Sequence, residues 1–218
     1  MRVQSDTELV SFEDWHLRVR PATRAPARLL VLAHGWTGDE DSMWVFVRDF
    51  GPDYWIVAPR APFAAEPGGF SWRPPRPGPH DRPTFKDLEP AVDLLMSLVD
   101  KYAAACSLDS TQFSVMGFSQ GAALVNVLAL LHARRLDRIG ILAGFVPGGA
   151  ELLAARHPLK GKPVFIAHGT LDETINIEDA RRSVKFLEQA GANVTVCEDE
   201  VGHKLSARCL RALDQFFA

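Results

Sequence analysis

Three cysteines, two tyrosines and no long apolar run are what the 218 residues hold of features that would announce a scaffold or a membrane anchor. Cys106, Cys197 and Cys209 are odd in number and no pair has C-x-x-C spacing, which argues against a disulfide scaffold and a zinc site. Three reduced thiols in the cytoplasm are the expectation. The start, Met1-Arg2-Val3-Gln4-Ser5-Asp6, carries no apolar segment of a secretory signal. The richest apolar stretch, residues 121–131, is broken by Asn126 and falls far short of a bilayer span, so no stable membrane insertion is expected. Charge of one sign is lacking too. The balance of 24 Lys+Arg and 27 Asp+Glu leaves −3, which excludes a protein that holds nucleic acid by neutralising phosphates. No H-E-x-x-H or other metal spacing occurs, so no metal is expected among the histidines.

What is present is an ordinary globular balance, 47% hydrophobic and 23% charged, in a length that suits one domain over 1–218 with a full core. Short β-type runs alternate with helical runs. Residues 9–20 alternate like a half-buried strand, and 29–33 (LLVLA) is a wholly apolar run of the kind found in a central parallel strand. Further strands are expected at 54–58, 113–116, 139–145, 164–167 and 194–197. Helices are expected at 39–50, 90–105 with Pro90 in the first turn, 120–135, 177–190 and 204–217. This alternation implies an α/β protein with a mostly parallel central sheet and helices on both faces. The stretch 59–83 is irregular and carries eight of the fifteen prolines. Its aromatics, Phe63, Phe70 and Trp72, suit either an ordered surface connection or a wall facing a ligand.

Gly117-Phe118-Ser119-Gln120-Gly121 reads G-x-S-x-G, preceded by an apolar strand and followed by an apolar helix. That context is what a nucleophilic serine on a sharp strand-to-helix turn requires. A serine hydroxyl needs a base, and the base needs an orienting carboxylate, in the chain order Ser, acid, His. Asp172 follows the strand at 164–167 and His203 follows the strand at 194–197, so both fall on loops at the same sheet edge as Ser119. Glu173 and Asp199 are rival acids. His16, His80, His132 and His157 read as surface residues, and His34 and His168, each before a glycine, as supporting residues. An oxyanion needs two backbone N–H donors: Gln120, and Trp36 in His34-Gly35-Trp36-Thr37-Gly38-Asp39.

These residues, with Pro59-Arg60-Ala61-Pro62, His168-Gly169-Thr170-Leu171-Asp172 and Gly202-His203, resemble the carboxylesterase/phospholipase family of serine α/β hydrolases, which includes the acyl-protein thioesterases. The resemblance covers essentially the whole chain. It implies an α/β-hydrolase fold with Ser119 as nucleophile, Asp172 as acid, His203 as base, and the Trp36 and Gln120 amides as oxyanion donors. The family often has leucine where this chain has Trp36, a change expected to narrow the acyl pocket. Only 17 residues, 146–162, separate the fifth expected strand from Pro163, so no large cap domain fits. The expected site is an open groove lined by Trp36, Phe70, Trp72, Phe118 and Val146, suited to an apolar acyl or aryl ester. The expected activity is cofactor-independent hydrolysis of carboxylic esters by a monomer or homodimer. Thioester or lysophospholipid hydrolysis uses the same machinery, and a non-catalytic binding protein of the same fold is the alternative of a different class.

Overall fold

The computed structural model describes residues 6–76 and 82–218. Its strands are β1 (Glu8–Phe12), β2 (Trp15–Arg20), β3 (Arg28–Ala33), β4 (Tyr54–Pro59), β5 (Phe63–Ala64), β6 (Phe70–Ser71), β7 (Phe113–Phe118), β8 (Leu136–Leu142), β9 (Pro163–Gly169) and β10 (Asn193–Asp199). Its α-helices are α1 (Phe85–Ala105), α2 (Gln120–His132), α3 (Glu151–Ala154), α4 (Ile177–Gln189) and α5 (Ala207–Phe217). Eight strands form one sheet in the order β1-β2-β4-β3-β7-β8-β9-β10; β5 and β6 pair separately. Within the eight-stranded sheet the β1/β2 and β2/β4 pairs are antiparallel and the remaining pairs parallel, and the separate β5/β6 pair is antiparallel.

Period-two alternation sorts the strand residues onto the two faces of the sheet. Val31, Val57, Val115, Ile139 and Ile166 face a core shared with α1, α2 and α4. Leu30, Ile56, Met116, Leu142 and Phe165 face the other core, shared with α5 and the 43–50 segment. Helix α2 is buried on every side from Gln120 to Leu130, as its largely apolar composition suits, and the one interior polar residue, Asn126, donates from Nδ2 to Phe145 O.

Several expected elements come out differently. Residues 39–50 hold only a short 3-10 turn, Trp44–Phe46. The Asp39 carboxylate accepts bonds from Asp41 N and Ser42 Oγ, a local turn that competes with helix. Helix α1 begins at Phe85 rather than Pro90, because Thr84 and Asp87 form a capping box five residues earlier. Strand β8 ends at Leu142, where Ala143 turns to a φ of 45°. The last helix begins at Ala207, with Ser206 Oγ accepting from Cys209 N as its cap.

The cysteine expectation is corrected. Cys197 on β10 and Cys209 on α5 form a disulfide with Cα atoms 5.6 Å apart, and only Cys106 is free. Helix α5 packs its buried Cys209, Leu213 and Phe217 against the sheet face on which Cys197 points, and spacing along the chain carries no trace of that contact. The expected cytoplasmic placement carried reduced thiols with it, and the Cys197–Cys209 disulfide departs from that part of the expectation. No helix among the described residues is long and apolar enough to cross a membrane.

Candidate active site

Ser119 sits between the last residue of β7 and the first of α2, with φ 54° and ψ −115°. A β-carbon is strained in that region, so something must hold it there. Ser119 N–H donates to Leu142 O at 2.9 Å and its carbonyl accepts from Ala123 N at 3.1 Å. Space decides the flanking glycine at 121: a β-carbon there would lie 2.1 Å from Ala33 O. The first turn of α2 therefore lies directly on the end of β3. Ser119 is the N-cap of α2, yet its side chain makes no capping bond. N-cap serines ordinarily accept from the helix's early N–H groups.

Asp172 and His203 are brought together. His203 Nδ1 donates to Asp172 Oδ2 at 2.6 Å, with the carboxylate fully buried and the imidazole 23% exposed. Asp172 Oδ1 accepts from Thr174 N at 2.8 Å and Ile175 N at 2.9 Å, which fixes the carboxylate plane. The His203 loop rests on Gly169, where a β-carbon would meet Val201 O at 2.2 Å and Gly202 O at 2.3 Å. The His203 ring lies 4.9 Å, centroid to centroid, from that of Phe118, the residue before Ser119. The rivals are elsewhere: Glu173 is exposed, and Asp199 accepts from Ser206 Oγ and Arg208 Nε.

Of the other histidines, His168 is buried beside Asp172. Its Nε2 donates to Ile175 O at 2.8 Å and lies 3.5 Å from Asp172 Oδ2, while its Nδ1 has no partner. His34 is buried, donates from Nδ1 to Gly35 O at 2.7 Å and accepts from Ala61 N at Nε2 at 2.9 Å. Burial pushes its imidazole below the usual histidine range, in keeping with a neutral ring that accepts a bond. His16 and His157 are exposed and His132 half-buried. His80 lies outside the described residues.

The 34–39 loop lies against the serine: a β-carbon on Gly35 would be 3.3 Å from Ser119 Cβ. Trp36, at the loop's tip, is 39% exposed. The loop is pinned by the proline-rich stretch. Thr37 N donates to Phe70 O and Phe70 N to Gly38 O, at 3.0 and 2.9 Å. Arg60 grips buried Glu40 through two bonds of 2.7 Å and lies 4.6 Å over the Phe70 ring. Arg60 holds the Glu40 carboxyl below its usual range.

The expected groove lining divides. Trp36 is exposed, and Phe70, Phe118 and Val146 are half-buried. Trp72 is corrected: it is fully buried, with both N–H groups engaged inside the protein, and forms no groove wall. Val146 lines a cavity of 340 Å³ with Arg82, Thr84, Phe145, Asp179 and Phe186 among its walls. The sequence reading missed the side chain of Gln120, which is buried and bonded to Ser71 and Trp72. A polar residue at the start of a largely apolar helix was the available signal. Among the described residues no group of three His, Cys, Asp or Glu side chains is arranged to hold a metal ion.

Residues 15–218 match a protein family described as Phospholipase/Carboxylesterase. A protein of Oryza sativa subsp. japonica named "Probable inactive carboxylesterase" is 32% identical over 209 residues, 86% of this chain and 83% of that one. An acyl-protein thioesterase 1 of Yarrowia lipolytica is 25% identical over 188 residues, covering 77% of this chain and 81% of its own. The crystal structure of esterase PE8 superposes with a TM-score of 0.79 at 26% identity, covering 91% of this chain and 95% of that one.

Proposed function

The chain belongs to the phospholipase/carboxylesterase family of α/β-hydrolase fold, and from that premise we propose that it is an active serine esterase, with residues 1–218 acting as one domain. Ser119 is the nucleophile, His203 the general base and Asp172 the carboxylate that holds it. The observation that carries this reading is the state of Ser119. A serine with φ 54° at a helix N-cap, making no capping bond, has been given up by the fold as a structural group. The buried carboxylate 2.6 Å from His203 Nδ1 sets that nitrogen as the one bearing hydrogen, which leaves Nε2 to accept a proton.

The reaction proceeds in two halves. His203 Nε2 takes the Ser119 proton as Oγ adds to the ester carbonyl, and Asp172 stabilises the imidazolium. The N–H groups of Trp36 and Gln120 hold the oxygen that becomes negative. The C–O bond to the leaving alcohol breaks as His203 returns the proton to it. Water, deprotonated by His203, then releases the acid and restores Ser119. No metal or cofactor takes part.

The substrate is a small ester with an apolar acyl or aryl group, taken beside the exposed Trp36 and the half-buried Phe70 and Phe118. The similarity to an acyl-protein thioesterase favours thioesters as the second class. The similarity to a relative named inactive makes the decisive test one of activity itself. Wild type is expected to turn over p-nitrophenyl butyrate and Ser119→Ala to lose at least about 10³-fold while remaining folded. Retained turnover in the variant overturns the reading. A panel of aryl esters, acyl-CoA and lysophospholipid at equal enzyme concentration separates ester, thioester and phospholipid preference.

A further inference from the structure

The proline-rich stretch bonds to both segments that carry the proposed oxyanion donors, to the 34–39 loop around Trp36 and to the side chain of Gln120. Trp72 uses both of its N–H groups for this. Its indole Nε1–H donates to His34 O at 2.8 Å, and its backbone N–H donates to Gln120 Oε1 at 3.0 Å. The Gln120 amide also donates from Nε2 to Ser71 Oγ at 3.1 Å. Trp72 is 0% exposed, and its ring packs 5.3 Å from the His34 ring. Two residues upstream, Phe70 bonds to Thr37 and Gly38. The loop that carries Trp36 is thus held on both sides of that residue, and the side chain of Gln120 is held beside its own backbone amide.

Burial alone does not call for this arrangement, since a phenylalanine would fill an apolar site without a donor to place. Oxyanion donors act only within a narrow window of about 2.7–3.1 Å from the developing charge. Two donors on separate segments, one after β3 and one at the start of α2, must keep a fixed separation for both to reach one oxygen.

We infer that Trp72 is a positioning residue that locks the Trp36 and Gln120 amides at a fixed separation, making 70–72 a strap across the oxyanion site. The inference rests on the esterase reading above. Trp72 touches no reacting atom; it acts through His34 on one side and Gln120 on the other.

Two variants cut the strap at opposite ends. Trp72→Phe keeps an aromatic ring and the backbone N–H, deletes the indole donor to His34 O and removes part of the buried indole, a packing loss that Tm reports. Gln120→Met keeps the backbone amide and deletes the bonds to Trp72 and Ser71. The measurements are kcat and KM on p-nitrophenyl butyrate, Tm, and inhibition by phenylboronic acid, whose tetrahedral serine adduct places an oxygen where the oxyanion forms. Each variant is expected to lower kcat about tenfold or more with KM within twofold. The inhibition constant should rise in step with the loss of kcat/KM. The double variant should lose about as much as the worse single one, because either cut opens the same bridge. Unchanged kcat with lowered Tm overturns the inference and leaves Trp72 a packing residue. A raised KM at unchanged kcat overturns it in favour of a substrate wall. If Trp72→Phe does not fold, Gln120→Met alone decides. Turnover that survives Ser119→Ala, or is absent from wild type, overturns the esterase reading and the inference with it.

Discussion

Gly169→Ala is the perturbation whose consequence follows most directly from the geometry. Gly169 closes β9, three residues before Asp172, and the loop leading to His203 crosses it. The new β-carbon would stand 2.2 Å from Val201 O and 2.3 Å from Gly202 O, where at least 3.0 Å is required. Both contacts are backbone, so no side chain can swing away. Retreat of the loop by about 0.8 Å is the least that relieves them. Passed on in full, that movement stretches the 2.6 Å bond from His203 Nδ1 to Asp172 to about 3.4 Å, beyond hydrogen-bonding range. A catalytic group misplaced by about 1 Å costs on the order of 10²-fold in rate. The expected result is a kcat on p-nitrophenyl butyrate lowered about 10²-fold, with KM changed little. Overpacking should also destabilise the fold by about 1–3 kcal/mol, read as a lower denaturant midpoint. Gly68→Ala is the control, since no atom lies within 4 Å of its added β-carbon. A folded Gly169→Ala enzyme with kcat within twofold of wild type would refute the claim that β9 sets the position of His203.

Two further outcomes concern stability. The Cys197–Cys209 bridge spans 12 positions and encloses the His203 loop, so its reduction by dithiothreitol should cost about 3 kcal/mol by loop entropy. For a chain of this size that lowers Tm by about 6–12 °C; an unchanged Tm would mean the loop is ordered without the bridge. The second outcome is a pH dependence. Burial holds the His34 imidazole below the usual histidine range, so the unfolded chain binds the proton more tightly than the folded one. Its stabilisation is present above the unfolded pKa of about 6.5 and is lost as pH falls through the lower, folded value. Melting curves from pH 7 to pH 5 should show Tm falling, with a shallower fall in His34→Gln; equal slopes would contradict this.

The strands were legible because central parallel strands are continuous apolar runs, and residues 29–33 and 164–167 show this plainly. Ser119, Asp172 and His203 fall in the expected order on loops after β7, β9 and β10, and the structure places Asp172 and His203 in contact. What escaped the sequence is what depends on contacts across the fold. Cys197 and Cys209 meet only because α5 packs back on β10. Trp72 looked like an aromatic for a groove, yet its partners His34 and Gln120 come from two segments far away in sequence, and it is completely buried. The start of α1 at Phe85 was hidden by Pro90, which draws attention to itself as a helix start although Thr84 and Asp87 supply the cap. The expected helix at 39–50 failed for the opposite reason: its apolar spacing was adequate, but the Asp39 side chain captured the backbone first.

The central claim is that Ser119 is an activated nucleophile in an intact site, in a chain whose relatives include one named inactive. Reaction with a fluorophosphonate, followed by intact-protein mass and peptide mapping, tests it most directly. One phosphonyl adduct per chain, located on Ser119 and absent from Ser119→Ala, is the predicted result. An unmodified folded protein, or an adduct on another residue, would contradict it.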